Sequence, residues 1–379
     1  MLKKVGFLGP EGSFSEEAVL KYIGKDHWIK TPYNTLEDVF LSVESGETQI
    51  GIVPIENSCE GAVNQTLDLL AYEYNLKIAG EIILPIKHNL LLRSDSDINK
   101  LECILSHPQA LAQCRKYLSA NFSDIPLLEV SSTAEAARQV KYSEKDWAAI
   151  GTERAARAYG LNVAARNIND TSKNETRFIV LSRENNNCIG KKCKTSLLVY
   201  IHHWPGALFQ VLKEFYLKGI NLTKIESRPT KTKIGDYLFF IDFEGYYQEP
   251  RVREALEGIK AVAQKVRVLG SYPSYPSTEY EVEGNKTMSS PTLDNLRQEI
   301  DLIDEQIIEL LGKRTKLVDR VANFKETAAK VRDPERERFV IKKLKRVAVE
   351  KGFHPDVAVK IYKILFDHFV SQQKRKLAK

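Results

Sequence analysis

At 379 residues the chain is too long for one ordinary domain, and two or three are expected. Its 43% hydrophobic content is enough for real cores, yet no apolar run reaches the roughly eighteen residues of a membrane-spanning helix, so no membrane partner is expected. The net charge of +6 is unevenly spread: Thr287 to Lys379 holds 21 Lys and Arg against 14 Asp and Glu, so the basic excess lies in the last quarter. Five cysteines at scattered spacings argue against a disulfide framework, and Cys188 and Cys193, with no histidine nearby, do not point to a metal. The amino-terminal MLKKVGFLGPEG lacks a signal-peptide apolar core, and a cytoplasmic protein is expected.

Residues 1–183 alternate short apolar runs with helix-like stretches, a rhythm that predicts α/β units. The runs are VGFLG (5–9), IGIVPI (50–55), ECILS (102–106), LLEVS (127–131), AAIG (148–151) and RFIVLS (177–182). Pro54 cannot donate to a central ladder, so the second strand is expected to end there. Glu56, Asn57 and Ser58 would then stand just beyond a strand's carboxyl end, where open α/β sheets bind ligands. A plainer reading has Asn57 or Ser58 capping a helix through Leu67 and Leu70.

Three S-x-x-E/Q capping patterns follow short strands: Ser13–Glu16, Ser106–Gln109 and Ser132–Glu135. One such box is ordinarily structural. Three of them, with IENS (55–58) as a fourth junction, line helix amino termini along strand edges, which suits an anion with two carboxylates. Gly9 and Gly12 allow backbone to approach a ligand closely. Farther on, NETRFIVLS sets Asn174, Thr176 and Arg177 before an apolar strand. A threonine hydroxyl is a poor acid in water, but in a desolvated site it can hand a proton to a leaving hydroxyl. Taken alone, Thr176 is equally a strand-start residue favoured by β propensity.

GPEGSFS, GIVPIENSCEG, SHPQALAQC, STAEAA and NETRF, in this order, resemble the prephenate dehydratase family across the whole first segment. The resemblance implies a two-lobed α/β fold like that of periplasmic binding proteins, with the site in the cleft. It implies loss of water and CO2 from prephenate to give phenylpyruvate. By position Thr176 matches the catalytic threonine. Ser13, Glu56, Asn57, Ser58, Ser106, Gln109, Ser132, Thr133, Arg177 and Phe178 match substrate-binding positions of the cleft.

A polar stretch, ENNNCIGKKCK (184–194), separates a second segment, 195–272, whose order of strands and helices predicts a small α+β unit. It resembles the ACT regulatory domain, with GALF (206–209) and ESRP (226–229) intact. The implied ligand is phenylalanine, bound between two such domains, with Gly206, Ala207, Leu208, Asn221, Leu222, Glu226, Ser227 and Arg228 as its candidate contacts. Residues 273–291, rich in Pro, Ser and Gly, read as a linker.

Segment 292–379 is expected to be all helical. Leu293, Leu296, Ile300, Ile303, Ile307, Leu310, Leu317, Val321 and Phe324 follow a 3-4 spacing, and the missing position holds Arg314. A cation in an apolar seam must be paired or bind an anion, unless it fixes register or oligomeric state. Lys325 lies about 20° around the helix from Arg314, and Arg297 about 100° away from it. A helix from 292 to about 330 would be about 60 Å long, more than so short a bundle can cover, so intertwined dimer helices are expected. Asp333-Pro334 predicts a new helix start, with aspartate as cap.

This segment resembles the all-helical class of chorismate mutase. Arg314, Lys325, Glu337 and Gln373 match catalytic positions there, and Arg297, Asp333 and Arg336 match substrate-binding ones, Arg297 acting across the dimer. The implied mechanism is an electrostatic cage for a pericyclic rearrangement, with no cofactor. Two departures stand out: a loop before Asp333 one residue shorter than in the family, and Phe369 where a serine usually precedes the active-site glutamine. Counting favours Gln373 as that glutamine, with Gln372 beside it. The whole implies a multidomain enzyme taking chorismate to phenylpyruvate under phenylalanine control, a homodimer or tetramer without nucleic-acid partner. Arogenate in place of prephenate, or a two-lobed sensor with a dimerising tail, are the readings left open.

Overall fold

The computed structural model describes residues 3–377 except 25, 172, 187, 189–191, 232–235, 275–292 and 323–331. The chain begins a first lobe with β1 (Lys3–Leu8), α1 (Phe14–Ile23), β2 (Trp28–Tyr33), α2 (Leu36–Glu44), β3 (Ile50–Asn57), β4 (Gly61–Ala62), α3 (Asn64–Asp68) and β5 (Lys77–Pro85). It crosses to a second lobe with β6 (Asn89–Leu92), β7 (Cys103–Ser106), α4 (Pro108–Gln113), α5 (Arg115–Asn121), β8 (Leu127–Glu129), α6 (Thr133–Tyr142), β9 (Trp147–Gly151), α7 (Glu153–Tyr159) and β10 (Asn162–Ala165). It returns to the first lobe on β11 (Glu175–Ser182). The two sheets run β2-β1-β3-β11-β5, with β4 on β3, and β10-β6-β9-β7-β8. Two crossing segments, β5 to β6 and β10 to β11, therefore join the lobes, and the cleft lies at that crossing.

The apolar runs became strands because both faces are covered: Phe7, Ile52, Phe178 and Val180 pack on α1, and Val53, Ile55, Ile179 and Leu181 pack on α2 and α3. The expected end of β3 at Pro54 is corrected. β1 pairs with β3 only as far as Ile52, and β4 pairs with it only from Glu56, so Pro54 falls in the gap between them on that edge, where no ladder donor is required. Glu56 and Asn57 thus lie within the strand, and α3 starts beyond a hairpin at Val63, so IENS is no strand-to-helix junction. Five strands (β2, β4, β5, β6 and β10) were not anticipated; β2 carries Pro32 and Lys30 at a sheet edge and shows no alternation.

The second segment folds as β12 (Cys193–Tyr200), α8 (Ala207–Leu217), β13 (Leu222–Pro229), β14 (Tyr237–Glu244), α9 (Pro250–Val262) and β15 (Lys265–Pro273), an antiparallel sheet of order β13-β14-β12-β15. One face packs on its two helices through Val199, Val211, Phe215 and Ile259. The other joins the first lobe's core through Leu198, Leu238, Phe240 and Tyr272. β15 runs so close to β5 that a Cβ at Gly270 would strike the Ile78 carbonyl. Cys188 and Cys193 are disulfide-bonded, against expectation: the parity of the cysteine count says nothing about a single short-range pair.

The third segment forms α10 (Leu293–Ala322), α11 (Pro334–Glu350) and α12 (Pro355–Leu377). Asp333 caps α11 by accepting from the Arg336 N–H at 2.9 Å. Phe324 and Lys325 lie outside the described residues. No described helix is long and apolar enough to cross a membrane.

Candidate active sites

β11 and β3 are antiparallel, with Thr176 opposite Asn57 and Arg177 opposite Glu56. Alternation along each strand sends the first pair to one face and the second to the other. On the cleft face, Asn57 Oδ1 accepts from the N–H groups of Cys59 (2.9 Å) and Glu60 (3.2 Å). Backbone N–H groups only donate, so this fixes the amide and turns Nδ2 towards Thr176. Nδ2 donates to Thr176 Oγ1 at 2.8 Å and to Asn174 Oδ1 at 2.9 Å. Thr176 Oγ1 therefore accepts from the protein, which leaves its own hydrogen uncommitted in that contact. Ser58 accepts from Glu175 N–H (3.0 Å) and donates to the Lys173 carbonyl (3.3 Å), stitching the turn to the returning crossover.

The network continues into the second lobe. Asn174 Nδ2 donates to Gln113 Oε1 at 2.8 Å, and His88 Nε2 lies 3.0 Å from the same oxygen. Burial holds the His88 pKa below its usual value, more than the Gln113 contact raises it, so the ring is neutral. Sequence reasoning did not place Gln113 or His88 here. Gln113 lies one helical turn after Gln109 inside SHPQALAQC, a usable signal; His88 stands alone before an apolar run and gave none.

Strands β7, β8 and β9 are neighbours and parallel, so α4, α6 and α7 all begin along one edge of the second sheet. Ser132 caps α6 by accepting from Glu135 N–H at 3.0 Å, with Thr133 half-buried beside it. The Ser106–Gln109 box does not form. Ser106 is buried and donates to the Ile150 carbonyl at 2.8 Å, while His107 is the cap, its Nδ1 accepting from Gln109 N–H. The edge faces the first lobe's GPEGS loop: Thr152 Oγ1 donates to the Gly12 carbonyl at 2.8 Å, and a Cβ at Gly12 (φ +84°) would sit 2.8 Å from Ala155 Cα. Ser13 caps α1, accepting from Glu16 N–H at 3.3 Å. Glu16 does not reach back to its cap. It accepts instead from Gly12 N–H (2.8 Å), Lys30 (2.6 Å) and, across the lobes, Arg154 (2.9 Å).

Three expected cleft residues are placed elsewhere. Phe178 is 2% exposed and packs in the α1 core, supporting the site from below. Arg177 turns to the opposite face, where it meets Glu81 at 2.7 Å and Asp242 at 2.6 Å, and Glu56 meets Lys224 at 2.9 Å. For Arg177 and Glu56 the reason is strand alternation, which turns each away from its neighbour Thr176 or Asn57; Phe178, two residues after Thr176, keeps that residue's face but is covered by α1.

In the second segment Gly206 caps α8 with φ +93°, Ala207 is buried, Leu208 and Leu222 are half-buried, and Asn221 is exposed, its carbonyl accepting from Glu244 N–H. Glu226, Ser227 and Arg228 alternate along the edge strand β13. Arg228 is redirected: its guanidinium binds Asp68 (2.7 Å) and Asn64 (2.8 Å) of α3.

In the helical segment the Arg314 guanidinium lies 4.7 Å from the Phe369 ring centroid, 5.3 Å from Tyr362 and 5.8 Å from Phe366. Its Nη1 is buried and makes no hydrogen bond among the described residues. Rings satisfy a cation's charge and not its N–H groups, so the position is prepared for an anion. One turn farther along both helices, Gln373 is 4% exposed and donates to the Val318 carbonyl at 3.0 Å, while Gln372 donates to Asp319 at 3.2 Å. Glu337 pairs with Arg332 at 3.1 Å; Arg336 and Arg297 are exposed. No cluster of His, Cys, Asp and Glu able to hold a metal occurs among the described residues.

Fold and sites together define a multidomain protein: a two-lobed α/β domain with a hydroxyl donor in its cleft, an α+β domain packed on it, and a helical segment with an anion-ready cation. Residues 5–186 match the prephenate dehydratase family, 195–261 the ACT domain and 296–374 type II chorismate mutase. A bifunctional chorismate mutase/prephenate dehydratase from Aquifex aeolicus is 46% identical over 271 residues, 71% of this chain and 73% of that protein. One from Pseudomonas aeruginosa is 42% identical over 270 residues, 71% of this chain and 73% of its own length. The structure of prephenate dehydratase from Arthrobacter aurescens in complex with L-Phe superposes with a TM-score of 0.68 at 32% identity, covering 81% of this chain and 99% of that one. The chain belongs to the bifunctional chorismate mutase/prephenate dehydratase family.

Proposed function

We propose that the helical segment rearranges chorismate to prephenate, that the two-lobed cleft converts prephenate to phenylpyruvate, and that phenylalanine at the ACT domain inhibits the second step. The observation that carries the dehydratase reading is the Asn57–Thr176 hydrogen bond of 2.8 Å, which leaves the threonine proton for the substrate. Thr176 hands that proton to the departing ring hydroxyl, which leaves as water. The ring carboxylate leaves as CO2, and its bonding pair closes the aromatic ring, so one proton is consumed overall. Ser132 and Thr133, at the amino terminus of α6, supply N–H groups and hydroxyls for the substrate carboxylates, while Ser13, its hydroxyl donating to the Leu8 carbonyl at 3.1 Å, holds the GPEGS loop at the start of α1.

For the mutase, Arg314 Nη1 takes a carboxylate, Arg297, Asp333 and Arg336 complete the binding site, and Lys325 with Glu337 or Gln373 meets the ether oxygen as its bond breaks. Phenylalanine binds about Gly206, Ala207, Leu208, Asn221, Leu222, Glu226 and Ser227. We assign 1–183 to the dehydratase, 195–272 to the ACT domain, 273–291 to the linker and 292–379 to the mutase, in a cytoplasmic enzyme.

The decisive experiment follows chorismate, prephenate and phenylpyruvate over time with purified protein, with and without phenylalanine. Phenylpyruvate should form and fall when phenylalanine is added; prephenate accumulating alone would redirect the cleft to arogenate, and unchanged chorismate would end the mutase reading.

The seam of α10 supports a homodimer. Ile300, Ile307, Leu310, Leu317 and Val321 are each about half exposed or more in the single chain, a stripe too long to leave in water. Light scattering should give at least twice the 43.1 kDa chain mass, and Leu310→Lys should lower it; a monomeric wild type rejects this part.

A further inference from the structure

Each residue of the Thr176–Asn57 pair is one peptide from a charge aimed at the ACT domain, because Arg177 lies opposite Glu56 in the same register. Arg177 meets Asp242 of β14 at 2.6 Å, Tyr272 Oη of β15 at 2.9 Å and Glu81 of β5 at 2.7 Å. Glu56 meets Lys224 of β13 at 2.9 Å and lies 3.8 Å from Arg177, and Lys194 of β12 holds Glu81 at 2.8 Å. Ser196 and Tyr272 share a hydroxyl contact of 2.6 Å. All four strands of the ACT sheet thus send a side chain into one cluster. Its three cations and three carboxylates balance, and apart from Glu56 their side chains are at most 15% exposed. Burial pushes the Asp242 pKa up, but Arg177, the Ser196 hydroxyl and Lys194 together more than offset it, so the carboxylate stays ionised. Buried charges of this kind hold one arrangement and tolerate no partial replacement, since each lost partner strands the other.

We propose that Arg177 and Glu56 are positioning residues, through which Asp242 and Lys224 of the ACT domain hold Thr176 and Asn57 in register and transmit phenylalanine occupancy to the cleft. This rests on the dehydratase and phenylalanine readings above, and a wild type that phenylalanine binds to but does not inhibit overturns the second of them. A change at the ACT sheet shifts the partners of Arg177 and Glu56, and the next residue on each strand moves with them. The substrate needs no contact with Arg177.

The test uses the full-length chain with Asp242→Asn, Arg177→Lys, their double variant, and Tyr272→Phe as a mild change that retains shape. For Asp242→Asn, kcat on prephenate should fall about tenfold while KM stays within about twofold, the pattern of a lost transition-state arrangement. Calorimetry should find phenylalanine bound within about threefold of wild type while its inhibition weakens at least about tenfold, a loss of coupling and not of binding. The two single losses should combine less than multiplicatively, because both variants break one contact. Tyr272→Phe should shift kcat and inhibition in the same direction by less.

Arg177→Lys raising KM while Asp242→Asn is inert would return Arg177 to the cleft and overturn the proposal. Unchanged kcat and inhibition in folded Asp242→Asn or Tyr272→Phe, with only the melting temperature lowered, would reduce the cluster to structure and overturn it as well. A wild-type protein that does not turn over prephenate overturns the dehydratase reading beneath it, an outcome visible before any variant is made.

Discussion

Thr176→Val should lower phenylpyruvate formation from prephenate by about 10² to 10⁴ while leaving chorismate consumption unchanged. Valine keeps the volume and the β preference, and the only group lost is the hydroxyl that Asn57 Nδ2 orients at 2.8 Å. Asn57 retains Asn174 as acceptor, so the network is not stranded and the fold is expected to hold. Thr176→Ser restores a proton donor in the same place and should recover activity to within about tenfold, since only the methyl that fixes the rotamer is gone. Arg314→Ala should do the reverse, abolishing chorismate turnover and sparing the dehydratase. Each substrate supplied separately to each variant checks the division. Loss of both activities in either folded variant would mean that the two sites are not separate.

Glu16→Gln should destabilise the dehydratase unit by about 3 kcal/mol at neutral pH and remove a pH dependence that the wild type shows in acid. Glu16 is fully buried, and burial alone would raise its pKa. Arg154 in the second lobe, the Gly12 N–H and Lys30 outweigh that and lower it from 4.5 to about 2. A depressed carboxyl pKa stabilises the fold above the unfolded value and loses that contribution as pH falls from about 4.5 towards about 2. A shift of this size corresponds to about 3 kcal/mol. Arg154 and Lys30 keep side-chain exposures of 33% and 27%, so in the variant water takes up part of their charge and the loss stays at the low end for a broken buried pair. Denaturant midpoints of wild type and variant, measured between pH 7 and pH 2.5, should converge as the pH drops. Curves that stay parallel would show that Glu16 does not carry the acid sensitivity. Because Arg154 is the only one of these partners from the second lobe, the variant also tests whether this contact holds the lobes together.

Much of the plan was legible because periodicity and capping are local. Ser13 and Ser132 cap their helices as their spacing predicted, Asp333 caps α11, and Arg314 occupies the break in the α10 seam. The helix start read at Ser106 failed because His107, one residue on, offered a better-placed acceptor while the Ser106 hydroxyl was drawn to the Ile150 carbonyl, 44 residues away. The strand end read at Pro54 failed because a proline's missing donor matters only if a neighbour strand requires it there.

The succession of segments, the periods of the helices and strands, and the place of Thr176 among polar neighbours before a strand were all readable along the chain. Those features depend on residues within a turn or two of one another. What covers each motif residue was settled by long-range packing. TRF puts Thr176, Arg177 and Phe178 side by side in the chain, and the fold divides them between cleft, ACT interface and core. The partners that separate them, Asn57, Asp242 and the α1 core, come from elements far apart in the chain, and no local pattern encodes which of them will be packed against a given strand face.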